Sequence, residues 1–517
     1  MATPNEKLAE SLTRLQVLQQ SGKQVIRSAD LTRTHLERLT KNGYLKPILK
    51  GWYMPARPDE QDGDTTTWFA SMRDFIRGYC DERFGEDWYV NAELSLLLHT
   101  GSTSLPRQVQ VHASKGYNNS LPLPANTSLF DYGAKDFAAS SSRTIVQGLR
   151  VLNLEAALLR TTPNMWQTDP LTLWLALEQL RDVSQLSRLL LDGGHSVIAG
   201  RLAGGLRAVG RESMADEIVG SMRSAGYVLV ETNPFAAPVA PVRLRPESPY
   251  CGRIRAMWED MRQQVLEVWT VPLQPLPSAD SYLVEAEERY IADAYHSLSI
   301  EGYHVTAELI DKVRQGQWSP DGNEQDRKDR NTLAARGYYE AHLKVRESLA
   351  SVLAGENAGE TLQQSLPGWY RALWSPSVQA GILKPSDLAG WRSGQVFIRN
   401  SMHVPLPPEG VRDAMPLLFD LLRAELEPSV QAVLGHFVFV FIHPYMDGNG
   451  RLARFILNLM LARGGWPWTV VTMKVRSEYM VALEKASAEG DIRPFAILLN
   501  SLVRQQLTKS PEQVGNL

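Results

Sequence analysis

His443, Asp447, Arg451 and Arg454 are crowded into the stretch Phe-Ile-His-Pro-Tyr-Met-Asp-Gly-Asn-Gly-Arg-Leu-Ala-Arg at 441–454. A base, an acid and two guanidiniums around an Asp-Gly-Asn-Gly turn are the groups that hold a phosphate. Gly448 and Gly450 allow a tight turn with free backbone amides. A helix beginning near Arg451 would point its positive dipole end at an anion. The elements that position this loop lie on either side. Val430, Val433, Leu434, Phe437 and Val438 recur at helical spacing before it, and Phe455, Ile456, Leu459 and Met460 do so after it. The loop therefore joins two buried helices.

Two further segments bear on the same chemistry. A helix read over 281–299, with Tyr282, Ala286, Ile291 and Ala294 inward, runs into Ser297-Leu298-Ser299-Ile300-Glu301-Gly302. A glutamate just before a glycine C-cap is electrostatically misplaced, because the helix C-terminus is itself negative. Arg454 or Arg451 could supply the cation that Glu301 lacks; a solvated glutamate at a helix end is the commoner arrangement, and both stay open here. The stretch 391–405 alternates at Gln395 to Arg399 and again at Met402 to Val404, around Asn400-Ser401. That pattern predicts a β-hairpin, whose edge could take an extended segment of a target protein by strand addition.

The N-terminus has a different character. Leu8, Leu12, Leu15 and Leu18 share one helical face; Val25-Ile26 and a second helix pair follow. In that pair, Thr32 can cap a helix with Leu36 and Leu39 inside and Arg33, His35, Arg38 and Lys41 outside, ended by Asn42-Gly43. Residues 44–54 then alternate like the strands of a wing, and the whole reads as a winged helix. Up to Lys50 there are nine Lys/Arg against four Asp/Glu, about +5, while the protein as a whole carries −3. Duplex DNA contact through Arg33, Arg38, Lys41 and Lys46 follows as an expectation. A solvated basic face, or a docking surface for protein, fits the same residues.

Residues 65–232 alternate amphipathic helices with strand-like runs at 109–111 and 227–230, and no catalytic constellation stands out there. His99 and His112 read as isolated structural residues. Pro234, Pro238, Pro241, Pro246 and Pro249 mark an extended boundary, beyond which the chain turns to long helices. At 517 residues the chain suggests about three folding units. Its 44% apolar and 21% charged content is that of a globular protein. Cys80 and Cys251 are too few for a disulfide framework or zinc cluster and read as structural thiols. With no apolar signal core and no run of about 18 apolar residues, a cytoplasmic location is expected.

The residues His-Pro-Tyr-Met-Asp-Gly-Asn-Gly-Arg at 443–451 resemble the signature of Fic domain proteins. The Ser-x-x-x-Glu-Gly motif upstream and a flap pattern from Arg392 through Val396 to Ile398 add to that likeness, which covers residues 275–500. Tyr445 stands where the family usually has Phe. The resemblance implies AMP transfer from ATP to a Ser, Thr or Tyr hydroxyl of a target protein docked on the flap, with His443 as the base and Asp447 as the Mg²⁺ ligand. It also implies a phosphate cradle of Gly448, Asn449 and Gly450, with Arg451 and Arg454 as clamps. Glu301, with Ser297, would be an inhibitory element paired with Arg454. Val396, Phe397, Ile398, Arg399, Tyr479 and Met480 become candidates for nucleotide contact; Met480 departs from the family's Tyr-Tyr pair. Removal of AMP, another nucleotide donor, or a DNA-binding regulator using the domain as a nucleotide sensor are the alternatives.

The pattern Leu-Thr-Arg-Thr-His-Leu-Glu-Arg-Leu at 31–39, with the following Gly-Tyr-Leu and Gly-Trp-Tyr, resembles the winged-helix antitoxins of abortive-infection type IV systems, a likeness that reaches about residue 230. The expected organisation is mainly α: a winged-helix-like domain at 1–64, an antitoxin-like α+β region at 65–232, a Pro-rich linker and connecting helix at 233–274, a helical Fic domain with its inhibitory helix and β-hairpin flap at 275–505, and a polar tail at 506–517. Homo-oligomerisation is left open.

Overall fold

The computed structural model describes residues 3–60, 64–103, 106–235, 248–316 and 329–508. It divides into two units, Met1–Arg253 with Phe397–Val404, and Ile254–Val396 with Pro405–Leu517. Helix is the main element of the chain.

In the N-terminal unit, helix α1 (Pro4–Gln20) is started by Thr3 and Glu6 in a reciprocal capping box. Strand β1 (Ile26–Arg27), helix α2 (Arg33–Lys41), and strands β2 (Leu45–Leu49) and β3 (Trp52–Pro55) follow. The segment after β1 holds one helix, α2, where a pair was expected. The three strands form an antiparallel sheet in the order β1-β3-β2. Leu15, Ile26, Leu31, Leu39 and Leu45 make its core. Helix α3 (Thr66–Phe84) and helix α4 (Ala92–His99) accompany a four-stranded sheet of β4 (Trp88–Val90), β5 (Gln108–Ala113), β6 (Asn119–Leu123) and β7 (Thr127–Gly133), ordered β4-β5-β7-β6. Trp52 and Met54 of β3 pack into the same core as Trp68, Phe75, Trp88 and Val111. The run at 227–230 is not a strand; Val228 and Val230 lie exposed. His99 hands its Nε2 to the Leu152 carbonyl at 2.8 Å, a structural role. Both cysteines are buried and outside any disulfide, and burial pushes the Cys80 thiol well up.

The C-terminal unit is built from helices. The expected helix over 281–299 is two, Ala279–Glu288 and Tyr290–Ile300, joined through Arg289. Pro428–Ile442 and Asn449–Arg463 pack on each other and are buried on nearly every side, as their apolar sequences demand. Helices Arg330–Leu353 and Ala358–Gln379 pack side by side as well. Gly337 makes their approach close: a Cβ there would sit 1.9 Å from the Leu373 carbonyl oxygen. Among the described residues no helix is long and apolar enough to cross a membrane.

The close approach outweighs helix propensity. Alanine favours a helix interior by about 1 kcal/mol over glycine, but overpacking against fixed backbone costs about 1–3 kcal/mol. Gly337→Ala should therefore lower the unfolding free energy in denaturant titration. Gly368→Ala, in the facing helix with nothing within 4 Å of the new methyl, should leave it unchanged or raise it. Equal effects of the two substitutions would contradict this packing.

Candidate active site

The loop at 443–448 is a change of direction between two helix ends. His443 closes Pro428–Ile442 in a left-handed conformation, φ 56° and ψ 62°, its N–H donating to the Phe439 carbonyl at 2.9 Å. Gly448 opens the next helix at φ 88°, and a Cβ there would come within 2.9 Å of Leu373. Only glycine suits both constraints. The helix starts at Asn449, two residues before the expected start at Arg451.

Side chains hold the loop in place. Asn449 accepts from the Tyr445 N–H at 3.0 Å and donates to the Tyr445 carbonyl at 2.8 Å. It braces the loop, and its side chain is not free for a ligand. The Tyr445 ring stacks on Tyr370 at 3.7 Å between centroids, 11° from parallel. Arg392, 4% exposed, donates to the His443 carbonyl at 2.7 Å and to the carbonyls of Gly394 and Leu406. Burial lowers its guanidinium pKa to about 10. Arg392, Tyr370 and Trp374 belong to the site, yet spacing along the chain gave them no role; only Arg392 stood in a motif.

The electrostatics divide between the two arginines. Arg451 is 1% exposed and lies over the rings of Trp374 and Tyr303, at 4.9 and 5.2 Å. None of its guanidinium nitrogens has a hydrogen-bond partner, and its nearest carboxylate, Asp447, is 3.8 Å away. Buried N–H groups without acceptors are costly, and an anion at the loop would satisfy them. Arg454 is fully engaged on one side: it donates to Ser297 Oγ at 2.8 Å, to the Ser297 carbonyl at 3.0 Å and to Glu301 Oε1 at 2.7 Å. Its third nitrogen, Nη1, has no partner.

Glu301 is thus paired and not merely solvated. Its Oε1 lies 2.2 Å from where a Gly450 Cβ would be, so the carboxylate sits against the first turn of the Asn449–Arg463 helix. Burial alone would raise its pKa; Arg454 first, then Arg451 and His443, outweigh this and hold it below the usual carboxylate range. Arg476 Nε donates to the Ile300 carbonyl at 3.2 Å and secures the end of the helix that carries Glu301.

His443 Nδ1 faces the Val440 carbonyl at 3.2 Å. That partner is an acceptor, so Nδ1 carries the proton and Nε2 keeps its lone pair. Burial lowers the imidazole pKa to about 4, with Arg392 adding and the Val440 carbonyl, Glu301 and Asp447 opposing. Asp447 is an exposed carboxylate that accepts from the Gly448 N–H at 2.6 Å through Oδ1. One amide of the expected free cradle is therefore already taken.

The remaining candidates separate. Tyr479 is 1% exposed and its hydroxyl shares a hydrogen bond with His436 Nε2 at 2.8 Å, while Met480 is 37% exposed. Val396 belongs to the C-terminal unit, and Phe397, Ile398 and Arg399 to the N-terminal one, where Arg399 pairs with Asp64 at 2.9 Å. The stretch 391–405 turns at Asn400, φ 58°, but no strand ladder forms in it, so the β-hairpin flap is corrected to an irregular loop. Its alternation is spent on side-chain ties, Arg392 to Leu406 and Gln395 to the Pro405 carbonyl at 2.9 Å. Of the residues expected to meet DNA, Arg38 turns onto α1, donating to the Lys7 carbonyl at 2.7 Å and Ser11 at 2.8 Å. His35 also faces Ser11, at 2.9 Å, instead of solvent. Arg33 pairs with Glu37 and Lys46 with Glu60, at 2.7 and 2.8 Å. α1 supplies acceptors that helical spacing within α2 does not reveal.

Residues 378–461 match the Fic/DOC family. A protein adenylyltransferase Fic of Drosophila willistoni is 31% identical over 242 residues, 46% of this chain and 45% of that protein. One of Nematostella vectensis is 29% identical over 251 residues, 47% and 54%. The chain spans about half the length of these curated relatives. Fic-1 (residues 134–508) of C. elegans aligns with a TM-score of 0.36 and 19% identity over 64% of this chain and 96% of that one.

The depressed imidazole gives a direct check. His443 should titrate near pH 4 in an NMR experiment on its ring protons, against about 6.5 for a free histidine. Folding then favours the neutral ring, so its contribution to stability is full above about pH 6.5 and is lost as pH falls toward 4. A midpoint near 6.5 would contradict the buried environment described. The likeness to the Fic/DOC family thus lies in residues 378–461 of the C-terminal unit, which hold the loop at 443–448 and both arginines.

Proposed function

We propose that this chain is a protein adenylyltransferase that uses ATP and is held idle by Glu301. One observation carries the reading: a carboxylate oxygen lies 2.7 Å from Arg454 and against Gly450, at the helix start where a phosphate would be bound. The family relatives, named as protein adenylyltransferases, support the same activity.

The residues divide the work as follows. Arg451, whose buried nitrogens lack acceptors, and the amides at the start of the Asn449–Arg463 helix receive the phosphates. His443 Nε2 accepts the proton of the attacking Ser, Thr or Tyr hydroxyl. The hydroxyl oxygen bonds to the α-phosphorus, the bond from that phosphorus to the bridging oxygen breaks, and pyrophosphate leaves. A base with a pKa of about 4 is weak, but bound phosphates would push it upward, as the neighbouring carboxylates already do. Asp447, a single exposed carboxylate beside the cradle, fits a Mg²⁺ completed by phosphate oxygens. Such an ion would neutralise phosphate charge. Arg454 is the group for which Glu301 and a nucleotide phosphate compete.

The target's hydroxyl would be presented beside the 391–405 loop; without a strand ladder there, side chains and not strand addition would select it. For the N-terminal unit, the internal pairing of Arg33, Arg38 and Lys46 disfavours a duplex-DNA role and leaves Lys41, among the four, without a described partner.

Glu301→Gly should raise transfer of AMP from α-labelled ATP, to the protein itself or a partner, by a factor on the order of 5–150, the usual range for coupled sites. His443→Ala in that background should return it to baseline. No rise with Glu301→Gly would refute the inhibitory role of the glutamate. Labelling that survives His443→Ala would refute the transfer mechanism, and faster loss of AMP from a premodified protein in wild type would replace transfer with removal.

A further inference from the structure

We infer that the N-terminal unit carries a second ligand site, a pocket for a planar heteroaromatic group the size of a nucleobase, on one face of its four-stranded sheet. The site is unrelated to the loop at 443–454 and does not depend on how that loop is read.

The sheet register builds it. Tyr89 of β4 is opposite His112 of β5, which is opposite Tyr132 of β7; Gln110 is opposite Phe130 in the neighbouring row. Successive strand residues face opposite sides. Val109, Val111, Ala113 and Leu129, the intervening positions, are buried in the core on one side. Gln110, His112, Phe130 and Tyr132 therefore share the other. On that side a cavity of about 550 Å³ opens, walled also by Asn91, Glu93, Arg160 and Thr162. This is the volume of a small-molecule pocket, which spans roughly 300–1,000 Å³, and too small for a folded partner.

The lining says what would fit. The His112 ring lies 5.5 Å from Tyr89, 24° from parallel, and 5.0 Å from Tyr132. Among the described residues it makes these ring contacts and no hydrogen bond, and burial favours its neutral form, so one ring nitrogen can donate and the other accept. Tyr132, 45% exposed, and Phe130 offer π faces at the mouth. Glu93 accepts from the Thr162 N–H at 3.1 Å and from Asn91 Nδ2 at 2.9 Å, which fixes a carboxylate at the wall. Arg160, the one cation among the lining residues, pairs with Asp136 at 3.3 Å, and Glu93 brings a negative charge to the same lining. No excess positive charge remains for a phosphate. Flat aromatic surface, a neutral donor–acceptor ring and a carboxylate suit the edge and face of a heterocyclic base. The base could belong to a free nucleoside or to a single strand of nucleic acid, since both present the same group.

Isothermal calorimetry on the full chain separates these sources. The probes are adenosine, guanosine, cytidine and uridine, each at millimolar concentration, and a short single-stranded DNA of mixed sequence. At least one probe should bind. Tyr132→Ala should weaken that binding roughly 5- to 150-fold, the range seen when a stacking aromatic is removed, with Tyr132→Phe retaining it and Arg451→Ala, in the other unit, leaving it unchanged. Binding of nucleosides names the free source; binding of the strand alone names the polymer. Tyr132 is largely at the surface, so its alanine variant should fold, and unchanged circular dichroism and melting would verify this. Absence of binding by every probe overturns the proposal, as does binding that Tyr132→Ala leaves intact or that Arg451→Ala removes.

Discussion

The contact between Glu301 and Arg454 is the interaction to which the rest of the C-terminal unit is fitted. Arg454 is nearly inaccessible to water, so its charge must be met by the protein or by a ligand. Ser297 supplies a hydroxyl and a carbonyl, and Glu301 supplies the carboxylate that pairs with it directly. Removing one partner of a buried pair leaves an uncompensated charge, at a cost of about 3–5 kcal/mol; the partly exposed Glu301 puts this case toward the lower end. The same deficit makes the vacated position attractive to another anion. A single geometry thereby makes the glutamate a stabilising partner of Arg454 and a competitor for the phosphate position proposed above.

The loop that faces this pair is rigid for reasons distributed over several elements. A left-handed residue at each end, His443 and Gly448, reverses the chain between two helices too apolar to be anything but buried. Asn449 closes the Tyr445 peptide from both sides, Tyr370 stacks beneath the ring, and Arg392 collects three carbonyls around the turn. The Asn449 brace and the Arg392 bond to the His443 carbonyl satisfy polar groups that the turn would otherwise leave buried and unpaired. The catalytic candidates are consequently positioned by residues that take no part in chemistry.

What was legible in the sequence follows from this division. His443, Asp447, Arg451 and Arg454 lie close along one stretch, so their convergence on one turn needed only a helix–loop–helix reading. Glu301 could be recognised as electrostatically odd, but its partner lies more than 150 positions away, and spacing alone favoured a solvated side chain. Tyr370 and Trp374 carry no local signal at all, because aromatic residues at helical spacing read simply as core, and Tyr303 is a lone aromatic in the loop after Gly302. The flap was misread for a related reason: alternation is the mark of a strand only if a neighbouring strand accepts its hydrogen bonds, and here side chains of Arg392 and Gln395 take that place. α2 shows the same limit, since Arg38 was assigned to solvent by periodicity and is drawn inward by acceptors on α1.

The two arginines on one helix turn also set an order of events for an arriving anion. Arg451 is held between Tyr303 and Trp374 with every nitrogen unpartnered, so an acceptor placed there gains hydrogen bonds without displacing any. Arg454 offers Nη1 alone until Glu301 moves. The ring faces compensate Arg451 partially through cation–π attraction, worth about 0.5–2 kcal/mol each, which is enough to keep the guanidinium in position but less than a charge-assisted hydrogen bond to phosphate provides. In the proposed reading a phosphate would gain hydrogen bonds at Arg451 with the glutamate in place, and the contest with Glu301 would concern the part of the nucleotide that reaches Arg454. Glu301 would then act on the placement of the nucleotide while leaving it a foothold at Arg451.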